Sequence, residues 1–190
     1  MIARATLVLV ALSACAGEPA EEDLLQLPRL RTTAAAAAAA APASGSSEGL
    51  TPEQLASGSY EIPGVQERIV LRGGRWEAPG NRSFAQLSQG VEARGDFDGD
   101  GSLETAAILT VGTGGTDLRV YLLAVGSGGE GIRQEAVVLL GAGVQVRDVR
   151  SERDAVEVRF LTFGAGDDPC CPTREVTRRY RIRNGTWTPS

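Results

Sequence analysis

The sequence of 190 residues predicts a mostly β protein, folded as a small antiparallel β-sandwich or partly closed barrel of about eight strands. Glycine-rich turn signals recur at short intervals, and the stretches between them are rich in Val, Ile, Leu, Tyr and Thr, which is typical of short strands joined by hairpins. Val156, Val158 and Phe160 alternate with charged residues, as expected for a half-buried strand. After Ser57, no stretch has the spacing of an amphipathic helix.

Two further stretches carry strand signals. A hairpin is expected around Gly73-Gly74, with residues 68–72 leading into the turn and 75–77 leading out. The last long strand is expected over 173–183, where arginines occupy one face and Arg178 interrupts the other, apolar face. The arginine row is either a surface for an anionic ligand or a solvated face that discourages strand pairing. The apolar face consists of Val176, Tyr180 and Ile182.

The N-terminus predicts export. Residues 1–14 combine a single Arg4, an apolar run and small residues, which is the pattern of a signal peptide. The run 12–15, Leu-Ser-Ala-Cys, resembles a bacterial lipobox, and this resemblance implies a lipid on Cys15. We therefore expect a membrane-anchored lipoprotein on the periplasmic face of the outer membrane or at the cell surface. The alternative is an ordinary secretory signal in which Cys15 is incidental.

The composition changes along the chain. Residues 15–57, which include an alanine run at 34–41, are rich in Ala, Pro, Ser and Glu and are expected to form a tether. Residues 58–190 have the length of one domain and are expected to hold the single core. The net charge of −5 and the absence of a basic cluster argue against a nucleic-acid partner.

Two residue types are missing from the whole sequence. There is no His and no Lys, and all 19 positively charged side chains are Arg. This composition excludes Ser-His and Cys-His nucleophile pairs, imidazole metal ligands and lysine Schiff bases. Only carboxylates and cysteines remain for chemistry.

The strongest motif is the acidic stretch G-D-F-D-G-D-G-S-L-E at 95–104. Counted from its first aspartate, carboxylates occupy positions 1, 3, 5 and 9, and Gly101 occupies position 6. Oxygen ligands at alternate positions around a glycine turn are what one short loop needs to surround Ca²⁺. The predicted ligands are Asp96, Asp98, Asp100, the backbone carbonyl of Ser102, and Glu104.

This loop departs from an EF-hand at its exit. Position 12, where an EF-hand has a bidentate glutamate, is Ala107 within a strand-like stretch. The loop instead resembles the D-x-D-x-D-G loops between strands of FG-GAP-type calcium sites, and this resemblance implies a structural ion. The alternative is a metal-free polar turn, in which four carboxylates repel one another.

Cys170 and Cys171 are the second motif, in the run D-D-P-C-C-P at 167–172. Adjacent cysteines have Cα atoms about 3.8 Å apart, so a vicinal disulfide between them is strained. Such a bond either stiffens the turn or acts as a redox switch; a soft-metal thiolate pair and two free thiols are the other interpretations.

The order of these motifs resembles a group of uncharacterised bacterial exported lipoproteins, and the Cys-Cys-Pro ending is loosely similar to LppP/LprE-type lipoproteins. The resemblance implies an envelope location and no particular activity. Three functions are therefore carried forward. The first is a non-enzymatic envelope module with a structural calcium that binds a protein or glycan partner. The second is a redox-responsive protein acting through Cys170 and Cys171. The third is a glycan hydrolase that uses paired carboxylates, for example Asp96 or Asp168 with a glutamate.

Overall fold

A computed structural model describes residues 49–80, 82–114, 117–129 and 131–190. The predicted signal segment 1–14, the lipidation site Cys15 and the alanine run at 34–41 lie outside these residues. Across the described ranges, no helix has both the length and the apolar character of a membrane span.

The described residues form one short helix and eleven strands. Strands β3 to β7 form a five-stranded antiparallel sheet, β8 to β11 form a four-stranded antiparallel sheet, and β1 pairs with β2. The prediction of a mostly β, antiparallel sandwich is confirmed, and the sheets of the described residues stay open at their edges. The elements are α1 (Pro52–Ala56), β1 (Ser59–Tyr60), β2 (Ile69–Val70), β3 (Arg75–Glu77), β4 (Ser83–Gly95), β5 (Glu104–Thr113), β6 (Leu118–Gly128), β7 (Gly131–Ala142), β8 (Gln145–Glu152), β9 (Ala155–Thr162), β10 (Arg174–Arg183) and β11 (Thr186–Pro189).

Both large sheets are meanders in which neighbours in the sheet are neighbours in the chain. The prediction that the strands on either side of Gly73-Gly74 pair with each other is wrong. Strand β2 pairs with β1, whereas β3 pairs with β4. Only an isolated bridge between Arg72 and Arg75 closes the turn itself. The strands beside this turn therefore separate into different sheets.

The main core lies between the two large sheets. Residues of the five-stranded sheet, such as Ile108 and Leu122, pack in one cluster with residues of the four-stranded sheet, such as Val156 and Val158. All four side chains are at most 1% exposed. Burial of apolar surface between the sheets is the main contribution that holds them together.

The opposite face of the five-stranded sheet is also covered. Leu50, Leu55 and Ile69, from the segment that precedes β3, form a second buried cluster with Leu109 and Leu123. Strands β5 and β6 are therefore buried on both faces. This explains why both strands are nearly continuous apolar runs instead of alternating ones.

The folded part begins before Gly58, which was the expected boundary between tether and domain. Helix α1 starts with a capping box, in which Thr51 and Gln54 each accept a hydrogen bond from the other's backbone N–H. Leu55 is 1% exposed, and its carbonyl accepts a 2.7 Å hydrogen bond from the Tyr60 hydroxyl. Residues 52–56 are predicted to belong to the tether because the residues before them have a low-complexity composition, although Leu55 packs in the core.

Strand β10 carries both faces that its sequence predicted. Arg178, which interrupts the apolar face, lies over the Phe160 ring with 5.4 Å between its guanidinium carbon and the ring centroid. On the outer face, Arg179 forms ion pairs with Glu152 and Glu157. Arg181 forms a third ion pair, in which its Nη1 atom lies 2.9 Å from Oδ2 of Asp154. These ion pairs favour a solvated, charge-balanced face over a site for an anionic ligand.

Replacing Leu55 with Ala is expected to lower the free energy of unfolding by about 2–4 kcal/mol, because a fully buried leucine leaves a cavity when it is truncated. Urea unfolding followed by circular dichroism measures this difference. Leu139→Ala is the matched control, since Leu139 is 47% exposed and its truncation leaves no cavity. Equal stabilities of the parent and Leu55→Ala would show that residues 49–57 do not belong to the fold.

Candidate metal centre

The acidic loop joins β4 to β5 at one end of the sandwich. Ala107 lies inside β5, opposite Leu123 of β6, so the predicted strand-loop-strand geometry is confirmed. Gly99 and Gly101 have φ of +83° and +88°, a conformation that other residues rarely adopt. These two glycines turn the chain so that Asp96, Asp98 and Asp100 remain on one short loop.

Three of the predicted ligands come together. One carboxylate oxygen each from Asp96, Asp98 and Glu104 lies within 4.8 Å of the others. Asp96 accepts hydrogen bonds from the backbone N–H groups of Gly99 (2.7 Å) and Gly101 (3.1 Å). The loop backbone therefore holds Asp96 in place without any ion.

Asp100 and Ser102 lie beside this group. Asp100 accepts a 2.7 Å hydrogen bond from the Ser102 backbone N–H, and this bond is the first cause that keeps the pKa of Asp100 below its usual value. The backbone N–H of Asp100 in turn donates to Asp98 over 3.0 Å. Asp100 and Ser102 thus shape the loop from outside the three clustered carboxylates.

Glu104 is the unusual member of the cluster, because its side chain is completely buried. Its Oε2 atom accepts a 2.7 Å hydrogen bond from the Phe97 backbone N–H. Its Oε1 atom is buried and has no hydrogen-bond partner in the described part of the chain. A buried carboxylate oxygen without a partner is energetically unfavourable unless a cation or a proton compensates it.

The environment of Glu104 favours the protonated form when no ion is bound. Burial raises the pKa of Glu104 to about 7, because desolvation disfavours the charged carboxylate. The hydrogen bond from Phe97 opposes this shift, whereas the negative charges of Glu135, Asp98 and Asp100 add to it.

Phe97 connects the loop to both sheets. Its backbone carbonyl accepts a 3.0 Å hydrogen bond from the Ile182 N–H of β10, and its N–H donates to Glu104 of β5. Its ring is 1% exposed and lies 5.7 Å from the Trp187 ring of β11, centroid to centroid. A change in the loop is therefore transmitted to both layers of the sandwich.

The cysteine motif forms a second structured loop, between β9 and β10. Cys170 and Cys171 are bonded in a vicinal disulfide with Cα atoms 3.8 Å apart, and both residues are exposed. Asp167 closes the base of this loop, since it accepts hydrogen bonds from the Gly164 N–H (2.7 Å) and from the backbone and hydroxyl of Thr173 (2.8 and 2.7 Å). These hydrogen bonds hold the pKa of Asp167 below its usual value.

The two loops lie at opposite ends of β10. The disulfide loop leads into Arg174, whereas Ile182 contacts the acidic loop. Eight residues of extended chain separate these positions by roughly 26 Å. A glycosidase needs its two carboxylates within about 9.5 Å of each other, so Asp96 and Asp168, which lie on different loops, would each need a separate glutamate as the second carboxylate.

The protein is an open β-sandwich of two large sheets. A loop at one end of the sandwich brings three carboxylates together. The chain matches no protein-family model, no curated protein and no solved structure. The assignment of a function therefore depends on the geometry of the site and on the sequence.

Sequence reasoning missed two residues that organise these loops. Phe97 is a large apolar residue alone among aspartates, and this contrast was the available signal for a core anchor. Asp167 and Asp168 precede the cysteines as a pair of aspartates. Asp167 accepts three hydrogen bonds and Asp168 is exposed, and nothing in the sequence indicates which of the two closes the loop.

In a chelator, the free energy of unfolding is expected to fall as the pH rises from about 5 to 8. Glu104 titrates near 4.5 in the unfolded chain and at about 7 in the folded one, so between these values only the folded state binds the proton. This stabilisation is complete below the unfolded pKa and is lost as the pH passes the folded pKa. Urea unfolding of the parent and of Glu104→Gln measures it. An equally large decrease in Glu104→Gln would contradict the assignment to Glu104.

Proposed function

We propose that this protein is a lipid-anchored, non-enzymatic module of the cell envelope, whose β-domain is stabilised by calcium and binds a protein or glycan partner. The observation that carries the calcium site is the buried Oε1 atom of Glu104, which has no partner among the described residues and belongs to a cluster with Asp96 and Asp98. The anchor and the envelope location rest on the N-terminal sequence.

The donor set favours calcium over other common ions. All the clustered groups are carboxylates, which are hard oxygen ligands, and the chain contains no His. Ca²⁺ accepts six to eight oxygen ligands in flexible geometry, whereas Mg²⁺ demands a near-ideal octahedron. Three carboxylates, two from a short loop and one from the first residue of β5, fit the flexible geometry of Ca²⁺ better.

The role of the ion is structural in this proposal. Neutralising Glu104 removes the penalty of its burial, and Phe97 transmits this gain to β10 and β11 through its carbonyl and its ring. Glu104 is completely buried, so it does not reach a substrate in solvent. The nearby residues that titrate are further carboxylates or arginines, which supports a binding role over catalysis.

A partner surface is supported by a cleft of about 590 Å³ between the segment 61–68 and β7. Glu61 fixes this segment to the strand, since its N–H donates to the Gln134 side chain (2.9 Å) and its carbonyl accepts from the same amide (2.8 Å). Val65 and Val137 add apolar surface to the polar lining. Such a mixed cleft on a fixed scaffold suits a protein or glycan ligand.

Thermal unfolding tests the calcium site. With a few millimolar calcium chloride, the melting temperature of the full-length protein is expected to exceed that in chelator by at least about 5 °C, because the ion binds only the folded state. Glu104→Gln should remove this difference, whereas Glu175→Gln, an exposed strand glutamate, should keep it. Identical melting temperatures of the parent in calcium and chelator would overturn the calcium assignment.

The exposed disulfide favours a second candidate function, a redox-responsive envelope protein. Reduction by a dithiol donor would transfer two electrons and two protons and yield two cysteine thiols while the donor becomes a disulfide. Because Asp167 closes the base of the loop independently, the change would be confined to the tip at 168–171.

Mass spectrometry after alkylation of the freshly exported, non-reduced protein tests this candidate. The expected result is an unmodified Cys170–Cys171 pair that becomes alkylated at both residues only after a dithiol is added. Two alkylated cysteines before reduction would show that the disulfide does not form during export, and this would count against the redox candidate.

A further inference from the structure

A second buried carboxylate lies beside Glu104. The side chain of Glu135 is 9% exposed, although it belongs to β7, an edge strand. Its Oε2 atom is buried and, among the described residues, has no hydrogen-bond partner. Glu104 and Glu135 thus each direct one unpaired oxygen into the protein interior at the same end of the sandwich.

A β-bulge explains the position of Glu135. In the ladder between β6 and β7, Val125 pairs with Gln134, and the next pair is Ala124 with Ala136. Glu135 is therefore the extra residue of the bulge. Bulges redirect side chains away from the regular alternation of a strand, and they are frequent beside functional sites.

Gly126 provides the space that Glu135 occupies. Thr105 of β5 pairs with Val125 of β6, so Gly126 lies beside Glu104 in the sheet. A Cβ atom at position 126 would collide with Glu135 Oε1. The carboxylate of Glu135 therefore lies across β6, on the path from β7 to Glu104, where the absence of a side chain at Gly126 leaves room.

Arg133 neutralises Glu135 from the solvent side. Its Nη2 and Nε atoms lie 2.6 and 3.2 Å from Glu135 Oε1, whereas Oε2 remains unpaired. The hydrogen bond and the charge of Glu135 are the main causes that raise the pKa of Arg133. The negative charges of Asp100 and Asp98 raise it further. The guanidinium is thus a counter-charge shared by Glu135 and the acidic loop.

We propose that Glu135 is a fourth carboxylate of the cation site, beside Asp96, Asp98 and Glu104, and supplies Oε2 to the ion through one water by reaching across Gly126. This inference rests on the proposed calcium site and deepens it. Two adjacent buried carboxylates with unpaired oxygens repel each other, and a divalent cation between them removes both penalties. A fourth carboxylate also suits the high oxygen coordination of Ca²⁺ better than that of Mg²⁺.

Calorimetric titration of the full-length protein with calcium chloride tests the inference. Glu135→Gln is expected to weaken the Kd by about tenfold or more, as for the removal of a group that orients or completes a metal site. Gly126→Ala is expected to weaken binding in the same direction, because the methyl group displaces Glu135 without changing any charge. Arg133→Gln is expected to tighten binding by a few fold, since it removes a competing positive charge.

Glu175→Gln and Gly128→Ala are the matched controls, and both should stay within about twofold of the parent. Gly128 lies in the same strand as Gly126, but a Cβ atom there would be 3.5 Å from its nearest neighbours, which is ordinary contact distance. Thermal melts in chelator verify that each variant is folded. A parent that binds calcium while Glu135→Gln and Gly126→Ala bind it equally well would overturn the role of Glu135 and leave the calcium site standing. A parent that shows no binding would overturn the calcium site and, with it, this inference.

Discussion

The structure depends on covering both faces of the central strands β5 and β6. These strands carry apolar side chains on both faces along most of their length, so exposing either face to water is unfavourable. The four-stranded sheet covers one face, and the segment with α1, β1 and β2 covers the other. The arrangement has three layers, although the segment that forms the third contributes only five residues of helix and two strands of two residues each.

This burial accounts for the properties of the acidic loop. Glu104 is the first residue of β5 and is completely buried; strand alternation places it on the same face as Ala106 and Ile108, which pack against the four-stranded sheet. A glutamate at the open rim of a single sheet would be solvated and would keep an ordinary pKa. Glu104 is completely buried and accepts a hydrogen bond from the Phe97 N–H, so its charged form is electrostatically unfavourable unless a cation or a proton compensates it.

The two ends of the sandwich differ in how their loops are closed. At the acidic end, negative charges converge, and the backbone N–H groups of the loop satisfy only part of them. At the disulfide end, Asp167 is fully used by Gly164 and Thr173, and the cysteines project into solvent. The first loop is therefore the one in which we propose a cation, and the second carries the disulfide of the alternative redox proposal. The length of strand β10 separates the two loops.

The sequence by itself determined the β class, the antiparallel strands, the acidic loop and its strand-like exit, because turn chemistry and residue spacing are local properties. The short helix α1 escaped detection, since its single buried leucine has no periodic pattern around it and is held by contacts with distant strands. Only the tertiary structure placed Glu135 beside Glu104, which precedes it by 31 residues. That juxtaposition needs a bulge in β7 and a glycine in β6, and both act through pairing between strands, a long-range interaction that spacing along one strand does not encode.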